Sequence, residues 1–133
     1  MIELLSIALM LWMPPPPTLP SEGATPLGEY LGCIMEPASG RVAAGLPADD
    51  RSREEIVRAI LSDCAALRVR VAAQAASAIA NMRGYDDPQI RRTNIEGFLS
   101  SWDGSLRSMI VDYEEFVAAS DAFCRQRGER PGC

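Results

Sequence analysis

Ser52-Arg53-Glu54-Glu55-Ile56-Val57-Arg58-Ala59-Ile60-Leu61-Ser62-Asp63-Cys64, running on through an alanine-rich segment to Met82, is the longest part of the chain without a Gly or Pro. Val57, Ile60, Leu61, Cys64, Leu67, Val71, Ala75, Ala78, Ile79 and Met82 recur at spacings of three and four, the period of one helical face. Ser52 and Glu55 read as a capping box, in which each side chain satisfies a backbone N–H of the other's turn. Arg83-Gly84 supplies a cation at the negative end of the helix and a residue free to turn left-handed. The stretch therefore predicts one helix over about 52–83, with Cys64 near its middle.

Leu46 to Arg51, with Pro47 and Asp49-Asp50, reads as the linker that leads into this helix. Before it, Thr25-Pro26 has the form of a cap followed by proline at the first helical position. Leu27, Tyr30, Leu31 and Ile34 follow at helical spacing, giving a helix of about 26–45 with a kink expected near Pro37. On the other side, Asp87-Pro88 repeats the cap-plus-proline pattern. The stripe there is Ile95, Phe98, Leu99, Trp102, Leu106, Met109, Ile110, Tyr113, Phe116, Val117 and Phe123. Its phase holds across Gly97 and Gly104, so it predicts one long helix over 88–126, with any kink near Gly104. The tail from Gly128 to Cys133 is expected to be irregular. Residues 72–80 are mostly Ala, and the bulk of Phe98, Leu99 and Trp102 is expected to face them, small against large. The fold class is thus all-α, an up-down-up three-helix bundle (about 26–45, 52–83 and 88–126) stapled by disulfides.

Four cysteines allow three pairings. In an antiparallel hairpin, facing residues have numbers that sum to twice the centre of the turn. For the linker 46–51 that sum is 97, and Cys33 with Cys64 gives 97. For the second turn, 84–87, the sum is 171, which places Cys124 against position 47, at the other end of the bundle. The expected disulfides are Cys33–Cys64 and Cys124–Cys133. A zinc or redox site is disfavoured, because no two cysteines are nearer than nine residues and no Cys-x-x-Cys occurs. The second sum also places Arg58 opposite Tyr113, within reach of Asp112 or Glu115. The two sums together place Arg68 opposite Glu29 on one side and Asp103 on the other. Such pairs are read as interhelical ion pairs, and Arg125, Arg127 and Arg130 as a complement to the last helix's negative end.

Tyr30, Cys33 and Cys64 give the chain a resemblance over about residues 26–80. It is similar to small exported proteins of proteobacteria in which a Tyr-x-x-Cys helix is disulfide-linked to a second helix. The resemblance brings no activity with it.

The amino terminus carries export features. Leu4 to Met13 is an apolar run of about ten residues, the length of a signal-peptide core and too short for a bilayer span. Pro14 to Pro17 stops any helix after it, and Ser21-Glu22-Gly23 places small residues at −3 and −1 of a cut before Ala24. Glu3 stands where a basic residue is usual. The expected division is a leader over 1–23 and a single helical domain over 24–133, periplasmic or secreted. The rival is an uncleaved leader that tethers the domain to the membrane. Leu31-Gly32-Cys33 does not serve as a lipobox, because Tyr30 replaces the aliphatic residue and the apolar run lies twenty residues upstream.

The net charge is −5 over 133 residues, and removing Glu3 and Glu22 with the leader leaves 16 acids against 13 arginines, or −3. That balance argues against nucleic acid or anionic lipid as a partner, since both need a basic footprint. There is no His, the commonest general base and metal ligand at neutral pH. No Gly-rich phosphate loop occurs, and the pairs Asp49-Asp50, Glu54-Glu55, Asp86-Asp87 and Glu114-Glu115 lack the alternating spacing of a calcium loop. The function expected is therefore non-catalytic, without metal or cofactor: a small exported protein that binds another protein or is associated with the envelope. The second reading is a carrier of a small hydrophobic ligand between the second and third helices, near Leu67, Val71, Phe98 and Trp102. Partner and oligomeric state are not legible.

Overall fold

A computed structural model describes residues 19–130. The apolar run Leu4–Met13, the proline tract and Cys133 lie outside the described residues, so the leader and the Cys124–Cys133 pairing are not described. Among the described residues the chain is all-helical, with five helices: α1 (Ser21–Ala44), α2 (Asp50–Asp63), α3 (Ala65–Ile79), α4 (Pro88–Val111) and α5 (Tyr113–Gln126). The three-helix bundle is corrected to this arrangement. The expected second and third helices are each divided, at Cys64 and Asp112.

Both divisions are one residue long. Cys64 has φ −98° and ψ 3°, its N–H still donates to the Ile60 carbonyl at 3.1 Å, and its own carbonyl accepts from Arg68 at 3.0 Å. Asp112 has φ −104° and ψ 36°, with Asp112 to Ser108 at 3.2 Å and Phe116 to Asp112 at 2.8 Å. The hydrogen-bond ladder bridges each break while the helix changes course. No Gly or Pro marks either place, and the cause is tertiary: α2 packs chiefly on α4, while α3 packs chiefly on α1. A single straight helix over 52–83 has one axis to offer; the bend at Cys64 lets its two halves follow different neighbours.

The ends differ from expectation for local reasons. Asp49 caps α2, its carboxylate accepting from the Ser52 N–H at 2.9 Å, so the helix starts before the Ser52–Glu55 box. α1 starts at Ser21, ahead of Pro26, because the Pro20 carbonyl accepts from the N–H groups of Gly23 and Ala24, both at 2.9 Å. Thr25 is inside the helix, where its hydroxyl donates to the Ser21 carbonyl at 2.8 Å. The helix continues through Pro26 and Pro37 to Ala44. Its first turn, Ser21–Gly23, contains the expected leader boundary; Gly23 is buried, and a Cβ there would stand 2.9 Å from Ile79 Cγ2. α3 stops at Ile79, short of Arg83, as Met82 to Ile79 and Tyr85 to Met82 tighten the exit into turns at 3.0 Å each. α4 starts as expected at Pro88, with the Asp87 carboxylate accepting from the Gln89 N–H at 2.8 Å, and runs through Gly104 unbroken. α5 ends in a Schellman motif: Gly128 (φ +71°) donates to Arg125 and Glu129 to Cys124, at 3.0 and 2.9 Å.

The core contains Leu27, Tyr30 and Ile34 of α1, Val57 and Ile60 of α2, Val71, Ala75 and Ile79 of α3, and Ile95, Leu99, Leu106 and Ile110 of α4. Each follows the periodic stripe of its segment. No helix among the described residues is long and apolar enough to cross a membrane.

Candidate functional site

Tyr30 and Cys33 lie three residues apart on α1, so they point to the same side of the helix and cross-link it twice. Cys33 and Cys64 are disulfide-bonded, with S–S 2.08 Å and Cα–Cα 6.1 Å, the pair that the sum of 97 singles out. Tyr30 is 1% exposed, and its hydroxyl donates to Asp103 of α4. Arg68 of α3 holds Asp103 at 3.1 Å and Glu96 at 2.9 Å, and its guanidinium carbon lies 5.9 Å from the Tyr30 ring centroid. Burial, then the Asp103 carboxylate, push the Tyr30 hydroxyl above its ordinary range. It is held as a protonated donor, which suits a structural tie and not an acid–base role. The expected Arg68–Asp103 pair is made; Glu29 instead meets Arg70 at 2.9 Å, two residues beyond the expected partner.

A second cluster lies at the other end. Arg53 is 7% exposed, and its Nε donates to the Pro47 carbonyl at 2.6 Å. Nη1 reaches the Ile110 and Val111 carbonyls at 3.5 and 3.3 Å, and both Nη atoms hold Glu114 at 2.9 and 2.8 Å. Those carbonyls lie at the C-terminal end of α4, next to the break at Asp112, where helix carbonyls commonly find donors outside the helix. One guanidinium thus caps α4, holds the first turn of α5 and ties down the linker. The Arg53 hydrogen bonds hold the Glu114 carboxyl down at about 2. The Arg58 pair with Asp112 or Glu115 is corrected: Arg53 takes Glu114, and Arg107 takes Glu54. Arg53 was missed because a charged residue one position after a presumed cap reads as solvated.

Two surfaces remain that are not used up by the fold. The first is α5. Its backbone approaches only α4 among the described helices. Tyr113, Phe116, Val117, Ser120 and Phe123 follow each other at spacings of three and one, yet Phe116 is 43% and Phe123 56% exposed. The expectation that this stripe enters the core is corrected for α5, since among the described residues no second helix lies opposite it. Arg127 covers part of Phe123, its guanidinium carbon 5.5 Å from the ring centroid, and pairs with Glu129 at 3.1 Å. Cys124 is buried at 3% exposure.

The second surface is a cleft of about 460 Å³ between α3 and α4, open on one side. Ala72 and Ala76 form one wall, Ile95 and Pro88 the other, and Arg91, Arg92 and Glu96 the rim. The expected covering of the alanines by aromatics is corrected here. On α4 Glu96 and Asp103 face Arg68 of α3. Phe98 and Trp102 lie well over a quarter-turn round the helix from them. They stack edge-to-face with each other, centroids 4.9 Å apart and planes at 70°. Nothing large is left above Ala72 and Ala76. The space is displaced from the position expected from Leu67, Val71, Phe98 and Trp102, and Val71 is fully buried.

Among the described residues no group of three or more His, Cys, Asp or Glu side chains is placed to hold a metal ion. The acidic pairs are engaged locally: Asp49 and Asp87 cap helices, and Glu54 and Glu114 meet arginines. Compared with models of protein families, with curated proteins and with solved structures, the chain matches none of them.

Proposed function

We propose that this is a small exported helical protein that acts by binding another protein, not by catalysis, and that α5 is the element it presents. The observation that carries the reading is the exposure of Phe116 and Phe123 on a helix whose backbone, among the described residues, approaches α4 alone. Aromatic side chains left in water on a rigid helix are the usual anchors of helix-in-groove recognition. Export is supported by the Leu4–Met13 run and by the Cys33–Cys64 disulfide, which suits an oxidising compartment. The resemblance to small exported proteobacterial proteins with a Tyr-x-x-Cys helix points the same way, and Cys124–Cys133 is proposed as the second pair. The absence of His from the sequence favours binding over acid–base or nucleophilic chemistry.

The test is a photo-cross-linking residue placed at position 116, and separately at exposed Val69 as a control, in cells that export the protein. One discrete adduct from position 116, absent from 69 and lost in a Phe123→Ser background, is the expected result. Equal labelling from both positions, or a protein that stays in the cytoplasm with its leader, overturns the reading.

The cleft between α3 and α4 favours a second reading, a carrier of a small hydrophobic ligand. Its volume of about 460 Å³ falls within the range of roughly 300–1,000 Å³ common for ligand pockets. Isothermal titration with decan-1-ol tests it: saturable binding at one site is expected, and no heat beyond partitioning counts against it.

A further inference from the structure

The geometry points to an anionic amphiphile, a monoacyl carboxylate bound singly, as the ligand of the α3–α4 cleft. The inference rests on the carrier reading and adds the charge of the head group and the residues that select it.

The chain is acidic overall, with a net charge of −5, yet two of its arginines stand together on the rim of this cleft. They stand there for different reasons. Arg91 is pinned: its Nη1 donates to the carbonyls of Tyr85 and Asp86 at 2.6 and 3.1 Å, which fixes the guanidinium at the mouth and leaves Nε and Nη2 unused among the described residues. Arg92 makes no ion pair or side-chain hydrogen bond among the described residues. Glu96 is the one acid in the described lining, and Arg68 holds it at 2.9 Å. Asp86 and Asp87, just before α4, are not part of that lining; the Asp87 carboxylate is spent on the Gln89 N–H. The mouth therefore offers two guanidinium groups beside one carboxylate, Glu96, which Arg68 already holds.

Below the mouth the walls change character. Ala72 and Ala76 are one turn apart on α3 and Ile95 is buried on α4, so the floor is apolar and narrow. A chain of methylenes lies along such a floor, while a planar carboxylate at its end takes guanidinium N–H groups in a forked pair. A neutral amphiphile gains the floor alone, and a cationic one meets two like charges at the mouth. Two other depressions among the described residues, of about 510 and 580 Å³, are more open to solvent. One, by Arg58 and Arg107, has Glu54 in its lining, where it already holds Arg107. Another, by Arg70, is nearly flat.

The experiment titrates the full chain calorimetrically with decanoate, decan-1-ol and decyltrimethylammonium, each below its micelle concentration, with alanine methyl resonances followed by NMR. Decanoate is expected to bind at one site, shifting the Ala72 and Ala76 methyls, about tenfold tighter than decanol, with no binding of the cation. Arg92→Gln, a change at an exposed residue with no partner to lose, is expected to remove that tenfold preference and leave decanol binding as it was. Ala76→Leu, which fills the floor, is expected to weaken both. Decanol that binds as tightly as decanoate, or an Arg92→Gln protein that keeps the preference, overturns the inference and leaves the carrier reading standing. No binding by any of the three overturns both. Binding to phosphatidylglycerol vesicles without binding of monomeric decanoate also overturns it, in favour of a membrane surface.

Discussion

The region around Tyr30, Cys33 and Cys64 and the short helix beyond Asp112 carry the same kind of sequence and have different fates. Both are helical with an apolar residue at every third or fourth place. In the first, Leu27, Tyr30, Ile34, Val71 and Leu99 are all at or below 1% exposure. In α5 the same spacing leaves Phe116 and Phe123 about half in water. The difference teaches that periodicity reports which face of a helix is apolar and says nothing of what covers it. Cover comes from a second element at the right place, and among the described helices the backbone of α5 approaches only α4.

Four expectations sharpen that contrast, and a fifth marks its limit. The largest effect belongs to the staple. Replacing Cys33 and Cys64 together by Ala is expected to cost about 3.7 kcal/mol on the chain-entropy model for a separation of 31 residues, read as a lower urea midpoint; an unchanged midpoint would mean that α1 is held without it. Next, Leu99→Ala removes a fully buried side chain and is expected to cost roughly 2–5 kcal/mol by the same measurement. Tyr30→Phe deletes the donor to Asp103 and is expected to cost about 1–2 kcal/mol, with the further removal of Arg68 non-additive in a double-mutant cycle.

The acid limb comes next. Glu114 titrates at about 2 in the fold against 4.5 when unconstrained, because Arg53 donates to it. Its folded value is the lower, so the unfolded chain takes up the proton more readily. The contribution is full above pH 4.5 and is lost as pH falls through about 2. Asp49 and Glu54, held down by Ser52 and Arg107, lose theirs in the same direction. Glu114→Gln is expected to flatten the stability profile across this window, and a profile parallel to the parent's would discount the Arg53 contact. The smallest effect is expected on α5: Phe116→Ser and Phe123→Ser should each change stability by about 0.5 kcal/mol or less. A loss as large as that of Leu99→Ala would mean that α5 is covered after all.

How far the fold was legible follows the same division. The Asp87-Pro88 start, the core stripes, the Cys33–Cys64 pair and the Arg68–Asp103 pair all depend on local chemistry or on the arithmetic of one short turn, and these read directly. Asp49 caps the helix in place of Ser52, a choice that two capping residues three apart leave undecided. The breaks at Cys64 and Asp112 have no sequence mark, since their causes lie in other segments: the different partners of α2 and α3, and the Arg53 guanidinium that accepts responsibility for the end of α4. The cleft that forms between α3 and α4 is lined by other residues than Leu67, Val71, Phe98 and Trp102, because the direction in which Phe98 and Trp102 point depends on the rotation of α4 about its axis. The contacts of Glu96 and Asp103 with Arg68 help to fix that rotation.

The ties on α1 have a mechanical consequence. A rigid rod fastened at one point can still pivot in every direction about it. Fastened at a second point a turn away, it can only roll about the line joining the two. Cys33 and Tyr30 are those points. The roll is stopped further along the rod, where Gly23 lies bare against Ile79 and any rotation would drive a side chain into that contact. Three fastenings of different chemistry, one covalent to the Cys64 junction, one polar to α4 and one steric against α3, therefore couple the movement of α1 to those neighbours.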